Sequence, residues 1–405
     1  MKLAVLLAAL VAVAVAGTSC GGDSSPVPTP APTPAASDAT PFDYEAYQFS
    51  LLWPETDFSK RTVSLLEIIS GGVSPDGIPP LDADGATSIA SPRAGKARFV
   101  PAAAAQYPER IPVTYVVVNG EAKAYPLHIL TWHEVVNDLV GGVPVVVTFC
   151  PLCNTALAFE RRVGDTVLDF GVSGMLRNSD LIMWDRQTKS WWQQALGEAI
   201  VGTYAGTRLR AIPAPIVSFG EFLRSFPDGA VLSENTGVER NYGINPYDGY
   251  DRPTNTPFLF VGEPDPRLPP MERVVGLASG DGPLAVPFSA LETVRVVHAD
   301  VEGSPVAVFW APGTATALGE GWIPDARDIG SATVFYRRAG EMVLEFELAG
   351  DGRFRDRGTG SVWTLAGLAV EGPLAGTRLV PAPHQVPFWF AWAAFHPETR
   401  VWQPE

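Results

Sequence analysis

Residues 144–157, PVVVTFCPLCNTAL, have a counterpart at residues 305–318, PVAVFWAPGTATAL. The two segments start 161 residues apart, and the same offset relates YPLHIL at residues 125–130 to VPFSAL at residues 286–291. A constant offset over separate segments indicates an internal repeat, and a repeat constrains the whole architecture. We therefore interpret the chain as two tandem copies of one unit.

Further matches extend the repeat towards the end of the chain. FERRVGDTVLDF at residues 159–170 corresponds to FYRRAGEMVLEF at residues 335–346, and AGTRL occurs at both 205–209 and 375–379. The sequence therefore predicts a set of three segments: a first copy over 111–232, a Tyr/Gly/Pro-rich connector over 233–273 and a second, degenerate copy over 274–405. The predicted fold is α+β and β-dominated, with the two copies of one mixed β/α unit packed as a pseudo-twofold body.

The repeated segments also predict local structure. Alternating apolar residues around a Gly-containing turn predict a β-hairpin at residues 159–170, and PVVVTF predicts a short buried strand. PLHILTWHEVVNDLV, residues 126–140, has apolar residues near helical spacing and a proline at its start, which predicts one helix through Val140. SFGEFLRSF, from Ser218, predicts a short terminal helix.

Composition limits the classes of function. The chain has 405 residues, with 29 Lys and Arg against 44 Asp and Glu, and a net charge of -15. No basic cluster interleaved with aromatic residues is present, so we expect no nucleic-acid partner. The 39 glycines and 38 prolines favour a turn-rich protein whose helices are few and short.

The start of the chain resembles an export signal. Residues 1–20, MKLAVLLAALVAVAVAGTSC, combine one basic residue, an apolar run and small residues before Cys20. GTSC resembles the bacterial lipobox, whose cysteine is lipidated, although Gly17 replaces the usual Leu or Val. Cleavage without lipidation is the alternative. We expect an extracytoplasmic protein, lipid-anchored at Cys20 to the cell membrane or on the periplasmic or outer-membrane face, that contacts the membrane through this lipid only.

Two further segments precede the first copy. Residues 21–41, GGDSSPVPTPAPTPAASDATP, have a Pro/Thr/Ser/Ala composition that cannot bury a core, so we expect a disordered tether. Residues 42–110 form a lead-in to the first copy. An anchored domain on a tether is the organisation that these segments predict.

The differences between the copies indicate candidate functional residues, because the fold requires only what both copies share. At the offset of 161, Cys150 corresponds to Ala311, Cys153 to Thr314 and His133 to Val294. The stretch RNSDLIM, residues 177–183, also has no counterpart in the shorter second copy. The candidates confined to the first copy are Cys150, Cys153, His133, Asn178, Ser179, Asp180 and Met183.

The Cys-x-x-Cys spacing of Cys150 and Cys153 is compatible with three functions. Two thiolates with His133 or Met183 as a third donor could bind a soft metal ion, copper first and zinc second. The pair could instead cycle in an extracytoplasmic thiol–disulfide oxidoreductase, with an unknown redox partner, although no helix is predicted to start there. Alternatively, the cysteines form a structural disulfide in a noncatalytic surface lipoprotein.

The sequence patterns that could indicate other kinds of catalysis are weaker. GVSGM, residues 171–175, lacks the nucleophile elbow of hydrolases, and HEVVND, residues 133–138, lacks the second histidine of a zinc protease motif. Glu134 and Asp180 could act as an acid–base pair only if the fold brings them together. The sequence thus leaves open whether the protein is an enzyme.

Four linked segments resemble one bacterial family, the domain of unknown function 3179. They are AYPLHILTWHEVVND, VPVVVTFCPLCNTA, FGVSGMLRNSDLIMWDRQTKSWWQQ and, in the connector, YGINPYDGYD. The resemblance extends over residues from about 110 to 400. It implies an exported or lipid-anchored protein and brings no established reaction.

Overall fold

The computed structural model describes residues 43–279, 282–319 and 321–404. The signal, Cys20 and tether expectations lie outside these residues. The described chain is α+β and β-dominated, as predicted. None of the described helices has the length and apolar character needed to cross a bilayer.

The helices are short. The α-helices are α1 (Tyr44–Ser50), α2 (Leu127–His133), α3 (Phe219–Ser225), α4 (Phe288–Val294) and α5 (Trp389–Phe395). Single 3-10 turns cover Leu65–Glu67, Ala102–Ala104, Gln194–Leu196 and Ile323–Asp325. The predicted terminal helix is confirmed as α3, where the Ser218 side chain accepts a hydrogen bond from the Glu221 amide as an N-cap.

The strands are given in chain order. The lead-in contains β1 (Ile68–Ser70), β2 (Leu81–Ala83), β3 (Gly95–Ala97) and β4 (Phe99–Pro101). The region 111–232 contains β5 (Pro112–Val118), β6 (Glu121–Pro126), β7 (Val135–Val140), β8 (Val143–Cys150), β9 (Thr155–Glu160), β10 (Arg162–Val163), β11 (Thr166–Val167), β12 (Phe170–Arg177), β13 (Asp180–Asp185), β14 (Trp191–Gln193), β15 (Glu198–Val201), β16 (Ala211–Ile212), β17 (Ile216–Ser218) and β18 (Ala230–Leu232).

The region from residue 274 onwards has its own strands. They are β19 (Val274–Ser279), β20 (Gly282–Pro287), β21 (Val296–Val301), β22 (Ser304–Ala311), β23 (Ser331–Tyr336), β24 (Arg338–Ala339), β25 (Met342–Val343), β26 (Phe346–Gly350), β27 (Arg353–Asp356), β28 (Val362–Trp363), β29 (Ala369–Glu371), β30 (Val380–Pro381) and β31 (Arg400–Val401). The predicted hairpin at residues 159–170 is confirmed, since β10 pairs antiparallel with β11.

The sheets of the two regions have matching strand orders. In the first region they run β17-β5-β6-β18-β4, β16-β9-β8-β7-β2-β3 and β1-β12-β13-β14-β15. In the second region they run β19-β20-β31, β21-β22-β23-β30 and β26-β27-β28-β29. The lead-in strands β1 to β4 extend only the sheets of the first region, so the lead-in is part of that folded body.

The predicted helix over residues 126–140 is wrong in its second half. The helix α2 ends at His133, and residues 135–140 form β7, which pairs with β8 and with β2. Glu134 ends the helix because its φ of 58° leaves the helical region, while its amide still donates to the Leu130 carbonyl. The β-branched pair Val135 and Val136 then favours an extended backbone.

Candidate metal centre

Cys150 and Cys153 lie at a tight connection between two strands. Cys150 is the last residue of β8 and pairs with Thr155, the first residue of β9, so Cys153 lies in the turn between them. Asn154, with a φ of 56°, completes this turn. The prediction that a strand rather than a helix follows the pair is therefore confirmed.

The second region of the chain forms two hydrogen bonds with this turn. The Asn154 side-chain amide donates to the Val386 carbonyl at 2.8 Å, and the Phe388 amide donates to the Cys153 carbonyl at 2.8 Å. Both cysteines are almost completely buried. Their backbone position is thus fixed by both regions.

Asp180 reaches the cysteines from a different sheet. It is the first residue of β13, after a two-residue turn in which Asn178 and Ser179 have φ values of 52° and 64°. Positive φ at both central residues is the geometry of the tight turns that join twisted antiparallel strands. The turn aims the Ser179 carbonyl at the sulfurs, and the Cys153 and Cys150 thiols donate to it at 3.3 and 3.7 Å.

Only one of the two Asp180 carboxylate oxygens accepts hydrogen bonds from the described residues. Oδ2 accepts hydrogen bonds from the Gln193 side chain at 2.6 Å and from the Ala195 amide at 2.9 Å. Oδ1 is fully buried and has no hydrogen-bond partner among the described residues. Such a buried acceptor normally has a partner, so its position here requires an explanation.

Three side chains of the described ranges come together in a metal-binding arrangement. Among those residues, only Cys150, Cys153 and Asp180 form a group of three Cys, His, Asp or Glu side chains whose ligand atoms all lie within 4.8 Å of one another. The two cysteines are free thiols and form no disulfide. The structure therefore assembles two sulfur donors and one oxygen donor.

Burial favours the protonated form of all three groups. It raises the pKa of the Cys150 and Cys153 thiols, and the neighbouring Cys150 thiol and Asp180 reinforce the shift at Cys153. Burial likewise raises the pKa of Asp180 to about 6. Thiol–disulfide exchange also needs a thiolate that a partner can reach, so the burial of both cysteines argues against the oxidoreductase hypothesis.

Glu134 is a second carboxyl group beside the three. Its carbonyl accepts from the Phe149 amide at 2.8 Å, which fixes it next to the end of β8. Burial, with a smaller contribution from the charge of Asp180, raises the pKa of Glu134 to about 8. The structure thus brings Glu134 and Asp180, the two carboxyl candidates from the sequence, into electrostatic contact.

The structure does not bring His133 into the group of three. Its Nδ1 lies 2.7 Å from the Pro79 carbonyl oxygen and its Nε2 lies 2.6 Å from the Tyr242 hydroxyl. Since a carbonyl only accepts, Nδ1 donates and Nε2 of the neutral ring accepts from Tyr242. Burial lowers the pKa of His133 to about 4, which favours this neutral form.

Met183 also lies apart from the Asp180 carboxylate. It follows Asp180 by three residues on β13, and strand side chains alternate between faces, so the two leave opposite faces of the sheet. Met183 is completely buried in the apolar core. The sequence suggested a role for Asp180 only as an acid or base. The signal that marked it was its place in RNSDLIM, a stretch without a counterpart in residues 274–405.

Residues 75–399 match the family described as "Protein of unknown function (DUF3179)". The chain belongs to this family. No curated protein and no solved structure matches it. Cys150, Cys153, Asp180 and Glu134 all lie within the part of the chain that the DUF3179 match covers.

Two tyrosines of the connector cover the centre in this DUF3179 protein. The Tyr250 hydroxyl donates to the Leu152 carbonyl at 3.0 Å, within the cysteine turn, and accepts from the Phe258 amide at 3.3 Å. The Ser179 hydroxyl donates to the Phe258 carbonyl. Burial raises the pKa of Tyr247, and the charges of Glu134 and Cys150 add to this shift, so its hydroxyl is within electrostatic range of both groups.

Proposed function

We propose that this protein binds one metal ion through the thiolates of Cys150 and Cys153 and the carboxylate of Asp180. The observation that carries the proposal is the Asp180 carboxylate: one of its oxygens lies with the two sulfurs within 4.8 Å, and its Oδ1 atom is buried without a hydrogen-bond partner among the described residues. A bound cation would supply the missing partner. It would also replace the protons that burial holds on the two thiols.

The donor set favours zinc over copper. Copper(I) prefers sulfur donors, and the sequence-based proposal of copper rested on His133 or Met183 as the third ligand. A carboxylate oxygen beside two thiolates instead suits Zn²⁺, which accepts sulfur, nitrogen and oxygen ligands. Glu134 is the further carboxyl group near the centre. We therefore propose Zn²⁺ as the preferred ion and Cu⁺ as the competitor to be tested.

The experiment is a metal titration of the reduced protein after treatment with a chelator. Zn²⁺ is titrated against a chromophoric zinc chelator and Cu⁺ against a copper(I) chelator. We expect one Zn²⁺ per chain, loss of stoichiometric binding in Cys150→Ser and Cys153→Ser, and at least about tenfold weaker binding in Asp180→Asn. His133→Gln and Met183→Leu are the matched controls, because both His133 nitrogens already have hydrogen-bond partners and the Met183 and Asp180 side chains leave opposite faces of β13.

Several outcomes would contradict the proposal. Absence of stoichiometric binding that depends on both cysteines would exclude the metal centre. Tight Cu⁺ binding that Asp180→Asn leaves unchanged but Met183→Leu weakens would restore the copper site expected from the sequence. Circular dichroism and thermal unfolding of each variant separate loss of the fold from loss of a ligand.

We further propose that the second region supports the centre without having one of its own. Ala311 and Thr314 occupy the positions that correspond to the two cysteines. Arg295 occupies the position of Glu134, and its guanidinium carbon lies 4.4 Å from the centroid of the Trp310 ring. The matching strand orders support an origin of the two regions as tandem copies of one unit. The hydrogen bonds of Val386 and Phe388 to the cysteine turn support a role for the second copy in closing the centre.

The cellular location is proposed from the sequence. We propose that the protein is exported and anchored outside the cytoplasm through a lipid on Cys20. Labelling cells with a fatty-acid analogue tests this: the label should be incorporated into the wild-type chain and be lost in Cys20→Ala. Unlabelled wild-type protein in a soluble extracytoplasmic fraction would instead indicate ordinary signal cleavage.

A further inference from the structure

The first region completes two of its sheets with lead-in strands that the second region lacks. The strand β2 pairs parallel with β7, and β4 pairs antiparallel with β18. The strands in the same places of the second region are β21 and β31, and each is the last strand of its sheet. Among the described residues, no strand pairs with the outer edge of β21. Since an uncovered edge can pair with a further strand, natural proteins usually protect it.

The backbone of β21 presents hydrogen-bonding groups on this outer edge. The Trp310 amide of β22 donates to the Arg295 carbonyl, just before β21. Because alternate residues of an antiparallel pair bond the partner strand, the amide and carbonyl of His298 point away from β22. His298 corresponds at the offset of 161 to Asn137, which pairs with Asp82 of β2 in the first region. A further strand can therefore pair with β21 as β2 pairs with β7.

A groove of about 870 Å³ lies between β21 and β31. Its lining includes Leu284 of β20, Ala299 of β21 and Val401 of β31, and we call it the edge groove. Leu284 corresponds at the same offset to Lys123, whose Nζ lies 4.4 Å from the ring centroid of Phe99 in β4. The edge groove thus lies where an apolar side chain of the lead-in packs in the first region.

An arginine that binds the lead-in has a counterpart in the second region. Arg186 is 2% exposed and pairs with Asp82 of β2 at 2.8 Å. The matching segments DRQTKS and DRGTGS place Arg357 in the position of Arg186. The Arg357 side chain is 68% exposed and pairs with Glu347 at 2.8 Å. Its guanidinium is therefore within reach of a carboxylate from outside the chain.

A carboxylate that binds the lead-in shows the same change from buried to exposed. Asp169 is completely buried and accepts hydrogen bonds from the Ser88 and Ile89 amides of the lead-in at 2.9 and 2.8 Å. The match of VLDF with VLEF places Glu345 in its position. Glu345 pairs with Arg337 and is 56% exposed. The second region thus keeps charged groups at both of these lead-in-binding positions, but carries them on its surface.

We propose that a segment of a partner protein occupies the edge groove in the way that the lead-in occupies the first region. One extended stretch adds a strand parallel to β21 and places an acidic side chain, equivalent to Asp82, on Arg357. A second stretch places an apolar side chain, equivalent to Phe99, on Leu284. Backbone hydrogen bonds to an edge strand supply affinity, and the side chains supply specificity. This binding site is independent of the metal centre.

Two occupants from this protein itself fit the groove less well. The tether, residues 21–41, contains six prolines, and proline lacks the amide that an added strand donates. A second molecule of this protein already uses its lead-in to pair with its own β7 and β18. It would have to open its first region to donate these strands. A segment from a different protein carries neither cost.

The test uses the full chain in detergent and a fluorescein-labelled synthetic peptide of residues 79–101, the part of the lead-in that contains β2 to β4. Fluorescence anisotropy measures its binding. The first test variant, Arg357→Glu, reverses the charge that should meet the acidic side chain. The second, Ala299→Trp, fills the edge groove with a large side chain.

Arg208→Glu is the matched control. Arg208 lies in the first region, is 69% exposed and pairs with Glu198 at 2.7 Å, so it resembles Arg357 in exposure and in its ion pair. Circular dichroism and thermal unfolding verify that each variant is folded.

We expect one peptide to bind per chain in the wild-type and Arg208→Glu proteins, and both test variants to bind at least about tenfold more weakly. A peptide with Asp82→Arg should bind the wild-type protein weakly and regain most of its affinity with Arg357→Glu, because the charges are again opposite. A photoreactive benzophenone in place of the Phe99 side chain should label the chain near Leu284 and Val401.

Absence of saturable peptide binding would overturn the proposal. Equal affinity in all variants, or labelling near Lys123, would overturn it too, because the peptide would then be exchanging with the lead-in of the first region. If the chain alone dimerises in analytical ultracentrifugation and Ala299→Trp makes it monomeric, the occupant is a second molecule of this protein, and the proposal of a partner segment is wrong.

Discussion

Glu134 combines a left-handed backbone conformation with a buried carboxyl group. Its φ is 58°, and its carboxyl pKa is raised to about 8 from an ordinary 4.5. The folded state therefore keeps a proton that the unfolded state releases above about pH 4.5, so this group reduces stability progressively as the pH rises from about 4.5 to 8.

Substitution of Glu134 by glutamine should remove this pH-dependent cost. We expect Glu134→Gln to raise the free energy of unfolding by roughly 1–3 kcal/mol near pH 8, and by much less near pH 5, because glutamine cannot ionise. Urea unfolding with a chelator present, at the two pH values, measures the difference. The exposed Glu292 of α4 provides a control, and Glu292→Gln should behave alike at both. A gain for Glu134→Gln that does not depend on pH would contradict this assignment.

The sequence singled out the two cysteines and Asp180 separately, but nothing in it indicated that they lie next to one another. Cys150 and Cys153 differ from Ala311 and Thr314 in an otherwise similar segment, so comparison of the two segments was sufficient to select them. Asp180 joins them only because a two-residue turn brings the start of β13 to the end of β8 in another sheet. Such convergence between sheets leaves no trace in local spacing.

At the scale of elements, α2 and β7 show where periodicity is misleading. Leu127 and Leu130 are buried on a helix, and Val135 and Val140 are buried on a strand, yet together they resemble one helical pattern. The helix ends at Glu134, a single non-glycine residue with positive φ. Arg295 ends α4 in the same way, with a φ of 66°. Sequence patterns rarely reveal such a position, because glycine is the residue that usually occupies it.

One turn that follows a strand has the same hydrogen bonds in both regions. Asp185 accepts from the Thr188 hydroxyl at 2.9 Å and from the Trp192 indole at 2.9 Å. Asp356 accepts from the Thr359 hydroxyl at 2.8 Å and from the Trp363 indole at 3.0 Å. The equivalent turns therefore have a structural rather than a functional role.

The two threonines should consequently make equal contributions to stability. We expect Thr188→Val and Thr359→Val each to lower the free energy of unfolding by about 1–2 kcal/mol, because each leaves a buried carboxylate without one donor. Thr188→Ser and Thr359→Ser keep the hydroxyl and should cost less. Denaturant unfolding measures all four variants, and a loss in one region only would contradict the structural role.

At the scale of the whole molecule, the connector ties the two regions together above the centre. Asp251 is buried and pairs with Arg273 at 2.8 Å and with Arg327 at 2.9 Å. Burial raises the pKa of Asp251, but the charge of Arg273 and the hydrogen bonds from Thr316 and Arg273 lower it more, so the Asp251 pKa lies below its ordinary value. One residue before Asp251, Tyr250 bonds the cysteine turn. The connector is thus anchored on the second region and closes over the first.

Closure by Tyr250 should control how fast the buried thiols react. We expect Tyr250→Phe to accelerate modification of Cys150 and Cys153 by a thiol reagent about tenfold in the reduced, metal-free protein, because it removes two hydrogen bonds of the closed connector. Tyr247→Phe is the matched control, since its hydroxyl forms no hydrogen bond with the described residues. Equal acceleration in both variants would mean that the hydrogen bonds of the Tyr250 hydroxyl have no specific role in keeping the connector closed. Unchanged rates in both would mean that the thiols are reached by another route.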